Sequence, residues 1–234
     1  MAINRGPNII RDGLVLCIDA ADKNSYPGSG TTVYDVSGNS YTGAFVYSVS
    51  FDTEKGGCFY FDSDASTGPY INTNYLHDNY GTFSVWFKGQ TQDADAASIV
   101  RPLIFQGTFY STGTTEAMGI AMKRDDSRIF YYSGSDTSTY YFVSSAAYND
   151  NNWHNAVLVR DTVNSYAYMD GVLLSTFTST AAIDKTTNLQ LGGSSTSTAR
   201  RYLGKIATWQ VYTKVLSSAE VLQNYNVMKG RFNQ

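Results

Sequence analysis

Residues 153–177 read WHNAVLVRDTVNSYAYMDGVLLSTF, and this stretch decides the fold. Two runs of β-forming side chains, at 166–169 and 172–174, lie on either side of the dipeptide Asp170-Gly171. Asp-Gly tolerates positive φ at both central positions of a two-residue turn, and such a turn matches the twist of two antiparallel strands. The sequence therefore predicts a tight β-hairpin here.

Similar runs recur along the rest of the chain, separated by clusters of Gly, Ser, Asn and Asp. At 83–88, the letters FSVWFK place Phe, Val and Phe on one face of a strand. Short alternating runs at regular spacing are typical of all-β sandwiches and barrels. A second hairpin is predicted to join 128–132 to 140–143. The predicted strands cover 14–19, 58–61, 83–88, 103–106, 118–122, 128–132, 140–143, 153–160, 165–169, 172–177, 189–191 and 204–212.

One helix is predicted near the end of the sequence. Ser217 offers its hydroxyl as an N-cap, and Glu220 lies three residues further on, which is the pattern of a capping box. Leu216 and Val221 occupy the two positions of a hydrophobic staple. Gly230 is the predicted end of the helix, since glycine often terminates helices.

The composition limits the class of protein. Of 234 residues, 42% are hydrophobic and 16% are charged, and the formal net charge is -3. This length fits one sandwich domain over 1–234, with 1–12 as an extended N-terminal arm. Lys and Arg are scattered, so we expect no binding to nucleic acid. No apolar stretch approaches the roughly 20 residues that cross a bilayer, so we expect no membrane insertion.

The two cysteines, Cys17 and Cys58, each lie within an apolar run. Buried free thiols that pack as small hydrophobic side chains are the favoured interpretation, and a disulfide is the alternative. A zinc site is disfavoured, because the sequence has no C-x-x-C pair and its two histidines, His77 and His154, are distant from either cysteine in sequence.

Several segments share their order and spacing with one family. These are 12–16 (DGLVL), 35–39 (DVSGN), 81–88 (GTFSVWFK), 153–159 (WHNAVLV), 167–171 (AYMDG), 189–193 (LQLGG), 204–212 (GKIATWQVY) and 215–221 (VLSSAEV). Together they resemble the laminin G-like (LamG) branch of the concanavalin A-like lectin and glucanase superfamily. The resemblance implies an all-β, antiparallel two-sheet jelly-roll sandwich with one short C-terminal helix. Trp86, Trp153 and Trp209 are then expected to pack in the core.

The N-terminal residues carry a second resemblance. Residues 8–21 (NIIRDGLVLCIDAA) and 25–32 (SYPGSGTT) resemble structural proteins of tailed bacteriophages that contain this domain. This implies a virion protein, either a capsid decoration or a fibre component, with other virion proteins as partners and a homo-oligomer as one option. No secretory signal is visible at 1–8, so synthesis in the host cytoplasm and a place on the virion surface are expected. The alternative is an adhesin that binds host surface polysaccharide, and a divergent glycoside hydrolase is a third option.

Catalysis is disfavoured by the acidic residues. Glycosidases of this superfamily place two carboxylates on one strand in an E-x-D-x-x-E arrangement, because hydrolysis needs a nucleophile or base and an acid across the scissile bond. The glutamates of this chain, Glu54, Glu116 and Glu220, are far apart in sequence. His154 at the start of a strand is expected to form structural hydrogen bonds instead of acting as a base. We therefore predict a protein that is not an enzyme.

Calcium is the one cofactor that the sequence suggests. Many LamG-like and legume-lectin relatives bind Ca²⁺ at the sandwich rim, and the stretch from Asp35 to Asn39 matches such a loop. Asp35 and Asn39 are the candidate ligands, and an Asx-type turn without metal is the alternative. Ala207 and Thr208 replace the acidic pair that the family has before its last strand, which argues against the metal.

A glycan or a protein partner is expected to meet a tyrosine-rich surface. Aromatic faces and amide groups on loops bind sugars, and tyrosine is also enriched at protein interfaces. The same tyrosines can also simply cover the sandwich. The candidate residues are Tyr131, Tyr132, Tyr140 and Tyr141 in the second hairpin, with Tyr110, Tyr148 and Asn151 in loops.

Overall fold

A computed structural model describes residues 8–62, 68–91, 100–107, 117–134, 141–178, 182–183, 185–195 and 200–233. Within these residues it contains sixteen strands, a short 3₁₀ turn at Glu54–Gly56 and one α-helix. The elements are β1 Leu14–Asp19, β2 Thr32–Tyr34, β3 Thr42–Val46, β4 Val49–Asp52, β5 Cys58–Phe61, β6 Tyr70–Thr73, β7 Gly81–Gly89, β8 Val100–Gln106, β9 Ala117–Lys123, β10 Arg128–Gly134, β11 Tyr141–Ala147, β12 Trp153–Arg160, β13 Asn164–Met169, β14 Val172–Thr178, β15 Gln190–Leu191, β16 Gly204–Tyr212 and α1 Ser218–Phe232.

The strands form two antiparallel sheets. In the first sheet the order is β14-β13-β12-β7-β16-β5-β4, and β1 also pairs with β16. In the second sheet the order is β11-β10-β9-β8-β15-β6-β3-β2. The predicted all-β sandwich with two antiparallel sheets and one C-terminal helix is confirmed. Among the described residues, no helix has the length and apolar character needed to cross a membrane.

The predicted Asp-Gly hairpin joins β13 to β14. Asp170 has φ 51° and Gly171 has φ 78°, so both central residues are in the left-handed region that this turn requires. Further along the hairpin the register shifts, because Tyr168 pairs with Leu173 and Ala167 pairs with Ser175. Leu174 is the extra residue of a β-bulge on β14, which is the edge strand of the first sheet.

The core lies between the two sheets, and all three tryptophans are buried. Trp209 stacks on Phe59 with ring centroids 5.9 Å apart, and its indole N–H donates to the carbonyl of Leu103 at 3.0 Å. Trp86 and Trp153 belong to a second cluster, where α1 packs on the outer face of the first sheet. Cys17 and Cys58 are buried free thiols.

Helix α1 begins where the sequence predicted. The amide N–H of Glu220 donates to the Ser217 hydroxyl at 3.3 Å, and the amide N–H of Ser217 donates to the Glu220 carboxylate at 2.8 Å. The predicted end at Gly230 was wrong, because the helix continues to Phe232 and ends at Asn233 with φ 60°. The Phe232 ring stacks on Trp86 with ring centroids 4.1 Å apart, and this contact stabilises the additional half-turn of helix.

Part of the predicted N-terminal arm, residues 8–12, packs against the same helix. The amide N–H of Ile10 donates to the Asn224 side chain at 2.8 Å, and the Gln223 side chain donates to the carbonyl of Asn8 at 2.9 Å. The remainder of the arm, 1–7, lies outside the described residues.

Candidate functional site

A polar loop at one end of the sandwich joins β11 to β12, and we call residues Tyr148–Asn152 the rim loop. Its first residue is fixed by its backbone N–H, which donates to the carbonyl of Ser127 at 2.9 Å. The Asn149 side chain donates to the Thr91 hydroxyl at 3.0 Å. The rim loop is therefore attached to the β9–β10 turn and to the end of β7.

The tip of the rim loop is an Asx turn. The Asp150 carboxylate accepts hydrogen bonds from the backbone N–H and the side-chain amide of Asn152, both at 3.0 Å. Asn151 has φ 63°, a left-handed conformation that asparagine tolerates better than most residues. Asp150, Asn151 and Asn152 are all exposed. The turn thus fixes the Asn152 amide against the Asp150 carboxylate and leaves the Asn151 side chain exposed to solvent.

His154, at the start of β12, lies behind this tip. Its Nδ1 is 2.8 Å from the Asp170 carboxylate, and its Nε2 is 3.3 Å from that of Asp150. The Tyr148 ring meets the imidazole edge-on with ring centroids 4.9 Å apart. Burial lowers the pKa of His154, but the hydrogen bond and charge of Asp170 and the charge of Asp150 outweigh burial and raise the pKa above its usual 6.5. The expected structural hydrogen bonding of His154 is confirmed.

The Asp170 carboxylate connects this arrangement to the Asp-Gly hairpin. Its second oxygen accepts the backbone N–H of Asn155 at 2.8 Å, and the Asp170 N–H donates to the Asn155 carbonyl at 2.8 Å. Asp170, which provides the positive φ of the hairpin turn, therefore also orients His154 behind the rim loop.

Two open hollows flank the rim loop. The Thr91 hollow has a volume of about 550 Å³ and is lined by Thr91, Arg124–Ser127, Ala147 and Asn149. The Trp153 hollow has a volume of about 220 Å³ and is lined by Glu54, Lys55, Lys88, Asn151–Trp153, Phe232 and Asn233. The surface of the Trp153 hollow is mainly polar, whereas that of the Thr91 hollow is mainly apolar with polar groups among its lining residues. A polyhydroxylated ligand therefore meets most of its hydrogen-bonding groups on the Trp153 side of the loop.

Glu54 lines the Trp153 hollow and is held by three donors. Its carboxylate accepts from Lys88, from Lys205 and from the indole N–H of Trp153, each at 2.9 Å. Burial raises the pKa of Glu54, but the hydrogen bonds of Lys205, Lys88 and Trp153 outweigh burial and lower it to about 2. A carboxylate that stays ionised down to about pH 2 is unsuited to act as a general acid.

The other two glutamates considered as catalytic acids are Glu220 and Glu116. Glu220 is engaged by the capping box and by Lys214, whose ammonium is 2.7 Å away. Glu116 lies outside the described residues. Among the residues that the structure describes, no cluster of three or more His, Cys, Asp or Glu side chains is arranged to hold a metal ion.

The predicted calcium ligands form a structural turn. One oxygen of Asp35 accepts the backbone N–H groups of Cys17 and Ser37, both at 2.8 Å. Its other oxygen accepts the Ser37 hydroxyl at 2.7 Å and the Asn39 N–H at 3.2 Å. The Asn39 amide donates to the carbonyl of Val15 at 3.2 Å. Protein donors therefore occupy both oxygens of the predicted carboxylate ligand.

The structure separates the predicted tyrosines. Tyr131 is fully buried, and its hydroxyl donates to the carbonyl of Tyr168 at 2.7 Å, so its assignment to a binding surface was wrong. Tyr132 faces the opposite side of the second sheet because side chains alternate along β10, but it is also buried, at 4% exposure. Tyr141 is 40% exposed beside it and stacks on Phe130 at 5.0 Å.

Only part of the predicted set comes together. Tyr148 and Asn151 lie in the rim loop, seven and ten residues beyond Tyr141 along the chain, whereas Tyr110 and Tyr140 lie outside the described residues. Sequence reasoning missed Thr91 and Ser127, which anchor the loop. Neither carries a local signal, because each contributes only through a contact with a distant part of the chain.

Comparison with known proteins identifies the fold family. The family model described as the concanavalin A-like lectin/glucanases superfamily, laminin G type, matches residues 62–222. No curated protein sequence matches the chain.

Solved structures with the same fold differ widely in sequence. Domain 4 of AbnA, a GH43 extracellular arabinanase from Geobacillus stearothermophilus, solved in complex with arabinotriose, has a TM-score of 0.66 and 14% identity over 91% of this chain and 98% of that chain. The binding domain of Paraclostridial Mosquitocidal Protein 1 has a TM-score of 0.64 and 14% identity over 92% of this chain and 52% of that chain. The botulinum neurotoxin type G receptor-binding domain has a TM-score of 0.63 and 13% identity over 93% of this chain and 52% of that chain.

The chain spans about half the length of these two toxin chains and nearly all of the arabinanase domain. At these identities the likeness establishes a shared fold alone. The family model, by contrast, covers well over half of the sequence and includes both the predicted hairpin and the start of the helix. The chain belongs to the concanavalin A-like lectin/glucanases superfamily and contains a laminin G-like domain.

Proposed function

We propose that this chain is a non-catalytic glycan-binding domain and that the rim loop is its binding site. The observation that carries the proposal is the Asx turn at Asp150, which fixes the Asn152 side chain and leaves Asn151 exposed at the tip. Amide and carboxylate groups pair with sugar hydroxyls as donors and acceptors. A turn fixed before the ligand arrives loses little conformational entropy when it binds.

The neighbouring groups extend this surface. The Thr91 hydroxyl and the Asn149 amide line one hollow, and Asn233 lines the other. The half-buried Tyr148 supplies an aromatic ring beside the polar tip. The arabinanase domain with the same fold was solved with arabinotriose bound, which supports testing a short neutral oligosaccharide first.

The absence of catalysis belongs to the same proposal. Glycoside hydrolysis needs a carboxylic acid and a second carboxylate, roughly 5 to 9.5 Å apart, on either side of the bond to be cleaved. Glu54 is committed to two lysines and an indole, and Glu220 is committed to a helix cap. Sustained release of reducing sugar by the purified protein would contradict this part of the proposal and favour a divergent hydrolase.

Binding can be tested with a glycan array, followed by calorimetric titration of arabinotriose and of any glycan that the array detects. Asn151→Gly retains the left-handed turn and removes the amide, so we expect it to weaken binding about tenfold without unfolding the domain. Asn152→Ala is expected to have a similar effect.

A matched control comes from a second Asx turn, whose residues line neither of the two hollows beside the rim loop. There, Asp22 accepts the backbone N–H of Asn24 at 2.8 Å and its side-chain amide at 3.0 Å. Asn24→Ala removes the same chemistry from an exposed turn and is expected to leave binding unchanged. If the unmodified protein binds no glycan on the array, with or without calcium, the proposed function is wrong.

We also propose a setting for this domain, the surface of a phage particle, where it serves as a capsid decoration or fibre component. The support is the likeness of 8–21 and 25–32 to structural proteins of tailed phages. Other virion proteins are then its partners, a homo-oligomer fits such a role, and a host surface polysaccharide is the glycan it recognises as an adhesin. Mass spectrometry and imaging of purified particles test this setting, and consistent absence of the protein from them would exclude it.

A further inference from the structure

The two ring nitrogens of His154 both face carboxylates. Nδ1 is 2.8 Å from Asp170, and Nε2 is 3.3 and 3.4 Å from the two oxygens of Asp150. A neutral imidazole has one N–H and one lone pair, whereas an imidazolium has two N–H groups. Both contacts are therefore attractive only when His154 is protonated. In the neutral ring with hydrogen on Nδ1, the bond to Asp170 remains and the lone pair of Nε2 faces the Asp150 carboxylate.

The groups around the imidazole are acidic or aromatic. Asp170 approaches from the β13–β14 turn, Asp150 and Tyr148 approach from the rim loop, and the Phe87 ring of β7 lies 6.1 Å away. The next residue of β7, Lys88, bonds instead to Glu54 at 2.9 Å. The ionisable groups that face His154 in the described residues are therefore two carboxylates and one phenol.

We propose that His154 is a positioning residue, which fixes the rim loop when it is protonated and releases the Asp150 side of the loop when it loses its proton. This inference rests on the proposed function only where it concerns ligand: if the rim loop binds glycan, binding weakens as His154 loses its proton. His154 acts through Asp150, which in turn holds Asn152.

The direction of the pH effect follows from the raised pKa of His154. The pKa of His154 is raised above 6.5, its ordinary value, so the imidazolium contribution is fully present below about pH 6.5 and is lost as the pH rises through the folded-state pKa. Burial raises the pKa of Asp150, but the hydrogen bonds from Asn152 and the charge of His154 outweigh burial and lower the pKa. Asp150 therefore stays ionised over the interval in which His154 titrates.

The test needs no ligand. Nuclear magnetic resonance can follow the two histidines separately, since burial lowers the pKa of His77 to about 4 and removes it from the neutral range. We expect His154 to titrate above pH 6.5 in the unmodified protein. In Asp150→Asn, its pKa is expected to fall by about half a unit or more, because one of the two facing charges is removed.

A second measurement reports on the loop itself. The exchange protection of the Asn152 amide, corrected for intrinsic exchange, is expected to fall about three- to tenfold from a pH below the measured His154 pKa to a pH above it. In His154→Gln, which retains one donor and has no titratable ring, protection is expected to be low and equal at both values. If a substitution at His154 prevents folding, Asp150→Asn gives the same comparison.

Two results would overturn the inference. One is a His154 pKa at or below that of a free histidine. The other is Asn152 protection that does not change with pH in the unmodified protein. Neither result depends on glycan, so failure of the proposed function leaves this test intact, and failure of this test leaves the binding assay intact.

Discussion

The loop at Asp35–Asn39 and the rim loop are built from the same residue types and put them to different use. In both, an aspartate accepts backbone N–H groups two residues further on, and an asparagine follows. At Asp35, however, the carboxylate also accepts the N–H of Cys17 in β1, and Asn39 donates back to the carbonyl of Val15. At Asp150, the donors come from its own loop and from His154.

The difference follows from what each loop lies against. Among the described strands, β1 pairs only with β16, so one edge of β1 needs other partners for its backbone groups. The Asp35 loop provides those partners. The rim loop instead lies between two hollows, and its carboxylate accepts from Asn152 and faces His154, which leaves Asn151 exposed to solvent. An Asp and Asn pair in a loop therefore indicates an Asx turn, and the neighbouring strand decides whether its carboxylate caps a strand edge or lies at an exposed tip.

The largest expected effect is at Asp35. Asp35→Ala leaves the N–H groups of Cys17 and Ser37 without their acceptor, so we expect the free energy of unfolding to fall by about 3 kcal/mol. Chemical denaturation monitored by tryptophan fluorescence measures the change. Asp35→Asn retains one acceptor oxygen and is expected to lose less. A loss at Asp35→Ala smaller than that at Asp150→Ala would reverse the comparison.

A smaller effect is expected from the equivalent change in the rim loop. Asp150→Ala removes an exposed acceptor whose donors can turn to water, so the free energy of unfolding should fall by less than about 1 kcal/mol near pH 6. The same denaturation assay measures it. Glycan binding, by contrast, is expected to weaken clearly in this variant and to persist in folded Asp35→Ala.

The smallest effect is expected from calcium. Both oxygens of Asp35 already accept hydrogen bonds from the protein, so we expect calcium or a chelator to change the melting temperature by less than about 1 °C. Differential scanning calorimetry of the unmodified protein and of Asn39→Ala provides the comparison. A calcium-dependent rise that disappears in the variant would restore Asp35 and Asn39 as metal ligands.

Local sequence signals predicted the elements that depend on local chemistry. The hairpin at Asp170-Gly171 and the capping box at Ser217 need only neighbouring residues, and both were found where expected. The long, largely buried strands β12 and β16 were also predicted with their observed bounds. Strands β2, β3, β4 and β6 were missed, because they are only three to five residues long, which is too short for an alternating pattern to stand out from the surrounding loops.

The site was predictable only in part, for a different reason. A run of Asn and Asp after Tyr148 identified the rim loop as polar. Which face of β10 carries Tyr131 depends on register, and a one-residue error exchanges core and surface. The anchoring contacts of Thr91 and Ser127, and the position of Asp170 behind His154, are properties of the assembled sheets and have no counterpart in neighbouring sequence.

The bulge in β14 has a consequence for how copies of this domain can crowd together. Val172, Leu173 and Leu174 are 61%, 46% and 38% exposed, on an edge strand without a charged residue, which is the profile of a strand that recruits another strand. The unpaired Leu174 interrupts the even spacing of free amides and carbonyls along that edge. The hydrogen-bonding groups of an incoming strand then match those of β14 only over short stretches. Adjacent molecules can therefore lie side by side at high density without their sheets pairing edge to edge.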